Sequence, residues 1–394
     1  MSSDSVVVCG YARTPMGGFQ GALTSLSAVD LGANAIQAAV ERSGVNPELI
    51  ERAYMGCVLP AGLGQAPARQ AALAAGLPLS TEASTINKMC GSGMQAVIMA
   101  VEALRSTAID WAVAGGMESM TNAPYLLPKH RAGSRIGHDQ IIDSMMLDGL
   151  EDAYVPGKAM GAFAEDSARD YQFSRADQEA YAITSLTRAR AAIASGAFAA
   201  EIAPVATRVR MSLVEVAIDE QPGNARPEKI RLLKPAFATG GTITAATSAS
   251  ISDGAAALVL ARESAANAKA SPIVGRIVAT AAHAHDPRLF TTAPVPAIRK
   301  VLAKAGWEIS AVDLFEVNEA FAAVAMIAMQ DLAIPHDKIN VHGGATALGH
   351  PLGATGARII ATLISALTQR RLKRGVAALC IGGGEATAIA LELI

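Results

Sequence analysis

Cys90 stands in the run Asn87-Lys88-Met89-Cys90-Gly91-Ser92-Gly93-Met94, where an apolar helical period begins just after a set of small residues. A cysteine at such a strand-to-helix turn meets unpaired N–H groups and the positive end of a helix, which stabilise a thiolate or a developing oxyanion. A helix end contributes about 0.3–1 kcal/mol, at best ~2, and one pKa unit corresponds to about 1.36 kcal/mol. Turn geometry alone therefore lowers a thiol of pKa about 8.5 by roughly one unit. A nearby base is still needed. Two other readings compete: Cys90 as a buried helix-start residue, and Gly91-Ser92-Gly93-Met94-Gln95-Ala96 as a dinucleotide fingerprint with Asp110 about 20 residues on. Asp110 weighs against the second, because it precedes the apolar run Trp111–Ala114 where the fingerprint needs an acid at a strand end.

A second candidate is His350 in Gly343-Gly344-Ala345-Thr346-Ala347-Leu348-Gly349-His350-Pro351-Leu352-Gly353-Ala354-Thr355-Gly356. Pro351 keeps His350 out of helical geometry and the glycines admit close backbone approach, so the imidazole is displayed from a loop, either as a surface or satisfied core histidine or, as its company favours, as a general base or oxyanion donor. Cys380 ends an apolar strand and is followed by Ile381-Gly382-Gly383-Gly384, whose backbone N–H groups could bind an anion. An inert core cysteine before a turn is the alternative there, and it is the reading given to Cys9 and Cys57. Val317-Asn318-Glu319-Ala320-Phe321 places an amide and a carboxylate where a strand gives way to a helix, and Asn318 could simply cap that helix. His342 and His350 with the cysteines lack metal-ligand spacing, so no metal is expected.

These residues need a scaffold that ends strands in tight turns. Apolar runs bounded by Gly or Pro alternate with helical periods, the pattern of an α/β protein whose sheets are covered by helices. Strands are expected at 6–9, 53–58, 112–114, 256–260, 273–281, 314–317, 376–381 and 387–391. Helical periods run through Met94, Val97, Ile98 and Val101, and through Ile360, Leu363, Ile364 and Leu367, each just after a glycine-rich turn. Val113-Ala114-Gly115-Gly116-Met117-Glu118 echoes Cys380-Ile381-Gly382-Gly383-Gly384-Glu385, either as an internal duplication or as shared βα-turn chemistry. Between the echoes, roughly 121–247, the composition is irregular, proline-bearing and more charged, and reads as a long insertion.

Composition bounds the function. The chain has 394 residues, 51% hydrophobic and only 17% charged, against about 25% charged in an average soluble protein. Buried surface between subunits is therefore expected. With 33 basic and 35 acidic residues there is no positive field to hold nucleic acid or anionic lipid. The longest hydrophobic run, Ala320 to Met329, is short of the roughly 18–20 residues of a membrane helix, so no membrane partner is expected. Met1–Ser5 leads directly into Val6 without an export or transit pattern, and the four cysteines are far apart, which suits a reducing cytoplasm.

Taken together and in order, these blocks resemble the thiolase family almost from end to end. Further matching blocks are Arg13-Thr14-Pro15-Met16-Gly17-Gly18-Phe19, Gly64-Gln65-Ala66-Pro67-Ala68-Arg69-Gln70 and Gly115-Gly116-Met117-Glu118-Ser119-Met120. The resemblance implies a five-layer α/β/α/β/α fold of two similar halves. One half comprises 1–119 with 251–270, the other 271–394, and a loop domain at 120–250 is inserted into the first. It further implies Cys90 as the acylated nucleophile, His350 as its base, and Cys380 as the acid/base for the α-carbon. The N–H groups of Cys90 and Gly382 would form one oxyanion hole, and His350 with a water on Asn318 the other.

Met160, Ser248, Ala249, Phe290, Ala320 and Phe321 fall at the implied acyl-CoA site. Ala249 stands where a serine is common, so a hydroxyl contact is lost or moved to Ser248. Ala159 replaces a frequent histidine and Phe290 a frequent methionine. Arg208, Arg210, Lys229 and Arg231 either meet CoA phosphates or form a solvated face. The implied activity is reversible Claisen condensation of acetyl-CoA and CoA-dependent thiolysis, with coenzyme A as cosubstrate, no metal or redox cofactor, and a homotetramer assembled through 125–139. A broad-chain 3-ketoacyl-CoA thiolase and a non-catalytic lipid-binding relative are the alternatives. A ketoacyl synthase would lack the second cysteine in its Cys-x-Gly block.

Overall fold

The computed structural model of the protein describes residues 4–209 and 212–394. The first half runs β1 (Val6–Arg13), α1 (Ala28–Ser43), β2 (Arg52–Gly56), α2 (Pro67–Ala74), β3 (Glu82–Ile86), α3 (Ser92–Arg105) and β4 (Trp111–Ser119). An insertion carries α4 (Met160–Asp170) and α5 (Arg175–Ala194), after which β5 (Ser252–Arg262) returns to the sheet. The second half follows as β6 (Gly275–Ala284), α6 (Pro294–Ala305), β7 (Leu314–Val317), α7 (Ala322–Leu332), α8 (Leu352–Arg370), β8 (Arg374–Ile381) and β9 (Glu385–Leu393).

The pairings repeat between the halves. In the first, β2 lies parallel to β3 and β4, β4 antiparallel to β5, and β5 antiparallel to β1. In the second, β7 bridges in parallel to Ile339 and to β8, β8 runs antiparallel to β9, and β9 antiparallel to β6. Matching topology, not turn chemistry alone, thus underlies the echo between β4 and β8. Residues 6–8 of β1 pair with 275–277 of β6 and join the two half-sheets.

Side-chain alternation explains the layers. Val7 and Cys9 point into the core under α1 and α2, whereas Val6 and Val8 point into the central core with α3 and α8. Strands covered on both faces lose the polar alternation of a half-exposed sheet and become uniformly apolar. A third core lies under α6 and α7, with Phe163 and Tyr181 of the insertion packed into it.

Two elements depart from the sequence reading. β3, Glu-Ala-Ser-Thr-Ile, is an edge strand with one large apolar residue and gave no apolar run to detect. The insertion is more regular than its composition suggested. α5 carries a capping box, Ser174 accepting from Asp177 N and Asp177 from Ser174 N, an arrangement whose cap contributes about 1 kcal/mol. Among the described residues no helix is long and apolar enough to cross a membrane.

Candidate active site

Glycines bring the elements together. A Cβ on Gly93, at the start of α3, would stand 2.8 Å from Gly353 O, and one on Gly356 would stand 2.3 Å from Met94 N. The first turns of α3 and α8 therefore touch backbone to backbone, which any side chain there would prevent. A Cβ on Gly91 would reach 2.3 Å from Ile381 Cδ1, so the end of β8 closes on the same spot. Cys380 lies on β8, Cys90 in the turn that leads into α3, and His350 in the link that leads into α8.

The turn before α3 is tight: Met89 has φ +48°, Ser92 Oγ donates to Met89 O at 2.6 Å and accepts from Lys88 N at 2.8 Å. Cys90 follows it. Burial pushes the Cys90 thiol up to about 11, against the lowering influence of the backbone N–H groups of Gly382 and of Cys90 itself. Charge on that sulfur, after burial, raises the Cys380 thiol well above its usual range, which places the two thiols in one electrostatic neighbourhood. Gly382 follows Cys380 by two residues, and Met160 Cε of the insertion would lie 3.7 Å from a Cβ built there.

His350 lies in the non-helical link before α8, as the proline requires. Its backbone N–H bonds to Ser250 O at 3.1 Å and Ser252 Oγ at 3.3 Å. Nδ1 lies 2.6 Å from Thr355 Oγ1, while Nε2 is buried without a hydrogen-bond partner among the described residues. Burial, reinforced by the Arg358 guanidinium, lowers the imidazole to about 3. Burial thus favours a neutral thiol and a neutral imidazole at rest. Alkylation of Cys90 by iodoacetamide, read on the Met89–Arg105 tryptic peptide, is expected to accelerate about tenfold per pH unit between about pH 6 and 9. A plateau below about pH 8 would mean a preformed thiolate–imidazolium pair.

Asn318 ends β7 with its N–H bonded to Ala378 O at 3.0 Å. Its side chain does not cap α7, whose first flanking residue is Phe321. Both amide atoms are buried and unpartnered among the described residues, the condition of a side chain built to hold a small polar group. Glu319 is structural: its carboxylate accepts from Tyr181, Ser185, Asn340 and Thr346, tying α5 to the loop that leads to His350.

The proposed acyl-CoA residues are spread along one wall. Ser248 bridges to Phe321, and Ala249 N donates to Ala320 O at 3.0 Å, so 247–249 runs alongside 320–322. Ser248 Oγ donates to Thr244 O at 2.9 Å. Phe290 meets Phe321 edge-on at 6.4 Å, and Met160 packs against the same core. Phe237, which sequence reasoning missed, meets Phe321 at 5.7 Å; an isolated aromatic in an irregular stretch carried no signal. Arg208, Lys229 and Arg231 are exposed, and Arg210 lies outside the described residues.

Glu118, within the block Gly115–Met120, ties β4 to the first turn of α8. It accepts from Val58 N, Leu59 N and Gly353 N at 3.0, 3.1 and 2.8 Å. The nucleotide-binding reading fails here: Asp110 is engaged by Arg262 at the surface. His342 packs edge-on against Phe198 at 5.8 Å.

Two halves of repeated topology, with a long insertion in the first, are the build of a thiolase, and the chain belongs to that family. The family's "Thiolase, N-terminal domain" matches residues 6–264 and its "Thiolase, C-terminal domain" residues 271–393. Acetyl-CoA acetyltransferase 2 of Arabidopsis thaliana is 48% identical over 393 residues, covering 99% of this chain and 97% of that protein. A probable acetyl-CoA acetyltransferase of Escherichia coli is 44% identical, covering 98% of each. Among solved structures, the Bacillus anthracis acetyl-CoA acetyltransferase superposes with a TM-score of 0.96 at 38% identity, covering 100% of this chain and 99% of that one. The Acat5 thiolase of Ascaris suum, in complex with coenzyme A, gives 0.94 at 40% identity, covering 99% and 100%.

Proposed function

We propose that the protein is an acyltransferase that condenses two acetyl-CoA molecules reversibly to acetoacetyl-CoA and CoA, and cleaves 3-ketoacyl-CoA with CoA in the other direction. What supports this reading is the close approach of the first turns of α3 and α8 and the end of β8, the elements that carry or adjoin Cys90, His350 and Cys380. In thiolysis, Cys90 Sγ attacks the 3-keto carbon while His350 Nε2 takes its proton. The bond between C2 and C3 breaks, the acyl group stays on Cys90, and the acetyl-CoA enolate takes a proton from Cys380 on its α-carbon. The CoA thiol then attacks the thioester and its proton returns to Cys380. His350 gives its proton back to the departing Cys90 sulfur, restoring both thiols.

Each oxyanion needs fixed donors where charge develops. The N–H groups of Cys90 and Gly382 are assigned to the thioester oxygen, and His350 with a water on Asn318 to the enolate. The segment 247–249, with Ala320 and Phe321, is assigned to the pantetheine arm, and Met160 with Phe290 to the acyl end. No metal or redox cofactor enters these steps. The halves 1–119 with 251–270 and 271–394 supply the chemistry, and 120–250 covers it. A cytoplasmic homotetramer is the assembly we assign, supported by exposed Tyr125, Leu127 and Ile136 in the 125–139 segment.

The ring contacts of Phe237 and Phe290 with Phe321 support an acyl end too small for a long chain. Acetoacetyl-CoA is therefore expected to exceed 3-ketodecanoyl-CoA in kcat/KM by at least about tenfold, since each lost methylene contact is worth roughly 1 kcal/mol or more. Equal or better turnover of the long substrate would make the protein a broad-chain thiolase. Absence of turnover on both, with Cys90→Ala as blank, would favour a non-catalytic role.

A further inference from the structure

The geometry points to Thr355 as the positioning residue that decides which nitrogen of His350 carries the imidazole proton. This rests on the reading of His350 as the base. The Thr355 hydroxyl has one hydrogen, and it lies 2.9 Å from Pro351 O, a carbonyl that can only accept. The oxygen left over faces His350 Nδ1 at 2.6 Å, which assigns it as the acceptor and Nδ1 as the nitrogen that bears the proton. A neutral imidazole has a single N–H. Nε2 is then the lone-pair nitrogen, and it is also the nitrogen without a partner.

Nothing else described does this. The two bonds to Ser250 and Ser252 hold the backbone of His350 and leave its ring free to choose a tautomer. Thr355 is fully buried, which keeps water from replacing its hydroxyl. Its place in the first turn of α8 fixes it to the same carbonyl by the main chain, Thr355 N donating to Pro351 O at 3.0 Å. The residue is thus locked at both ends, and a serine there would preserve the hydroxyl while valine would preserve only the shape.

The test compares Thr355→Val, Thr355→Ser and His350→Gln in acetoacetyl-CoA thiolysis, alongside nitrogen-15 spectra of histidine-labelled enzyme. Outer-shell partners of metal-bound histidines contribute roughly 10- to 100-fold, and a loss of that order is expected for the partner of a catalytic one. The valine variant is expected to lose about that much kcat with KM changed by less than about threefold, and serine to stay within about threefold of wild type. The His350 signals should show Nδ1–H alone in wild type and an added Nε2–H form in the valine variant. Wild-type kcat in Thr355→Val, or an unchanged tautomer, overturns the inference, as does equal loss in both threonine variants. Full activity of His350→Gln would instead overturn the reading of His350 as base.

Discussion

Cys380→Ala is expected to lower the kcat for acetoacetyl-CoA thiolysis by a factor of roughly 10²–10⁴, the range contributed by a positioned acid or base, while acetyl transfer onto Cys90 survives. In the proposed mechanism the two cysteines have different work. Acylation needs a nucleophile and a base, both on the crossing of α3 and α8. Carbon–carbon chemistry needs a proton delivered to carbon, and Cys380 is the group on β8 beside the N–H of Gly382. Burial and the charge of Cys90 raise the Cys380 thiol well above its ordinary range, so it is protonated when thiolysis demands an acid. Exchange of the acetyl-CoA methyl protons with deuterated water, followed by proton NMR, separates the steps. Exchange at the wild-type rate in Cys380→Ala would remove Cys380 from the mechanism.

On stability, the largest single loss is expected from Arg13→Ala, about 3–5 kcal/mol. Arg13 is wholly buried at the end of β1, with Nε 2.6 Å from Glu201 and Nη1 and Nη2 2.7 and 2.9 Å from the two oxygens of Asp219. Its guanidinium lies 4.9 Å from the Phe198 ring centroid. Truncation leaves both carboxylates buried without their cation, and that, more than the lost contacts, sets the size of the effect. Chemical denaturation at matched protein concentration measures it. Arg13→Met combined with Glu201→Gln and Asp219→Asn should lose less than Arg13→Ala alone, because no charge is then stranded. An Arg13→Ala protein within about 1 kcal/mol of wild type would refute the argument.

Local chemistry made part of the site legible in the sequence. Small residues before an apolar period marked the Cys90 turn, Pro351 marked His350 as non-helical, and the glycines after Ile381 marked the end of β8. Each of these signals acts within a few residues. The partners that hold the site and the core act at long range: Glu118 reaches Gly353, 235 residues on, and the buried Arg13 reaches Asp219, 206 residues on. A single chain carries no local trace of such pairs. Thr355 is different, since it stands five residues from His350, but whether a threonine merely faces its own helix or a ring depends on a side-chain direction that spacing does not specify. The insertion was underestimated because capping and helix propensity, not an apolar stripe, define α5.

An acyl group carried on Cys90 is the central claim, and trypsin isolates the residue conveniently: Lys88 and Arg105 bound the peptide Met89–Arg105, while Cys380 falls in the peptide 375–394. Wild-type and Cys380→Ala proteins would be incubated with acetyl-CoA, acid-quenched, digested and analysed by mass spectrometry. The predicted result is one acetyl group on the Met89–Arg105 peptide in both proteins, absent from Cys90→Ala. Acetylation confined to the 375–394 peptide of the wild type, or undiminished in Cys90→Ala, would contradict it.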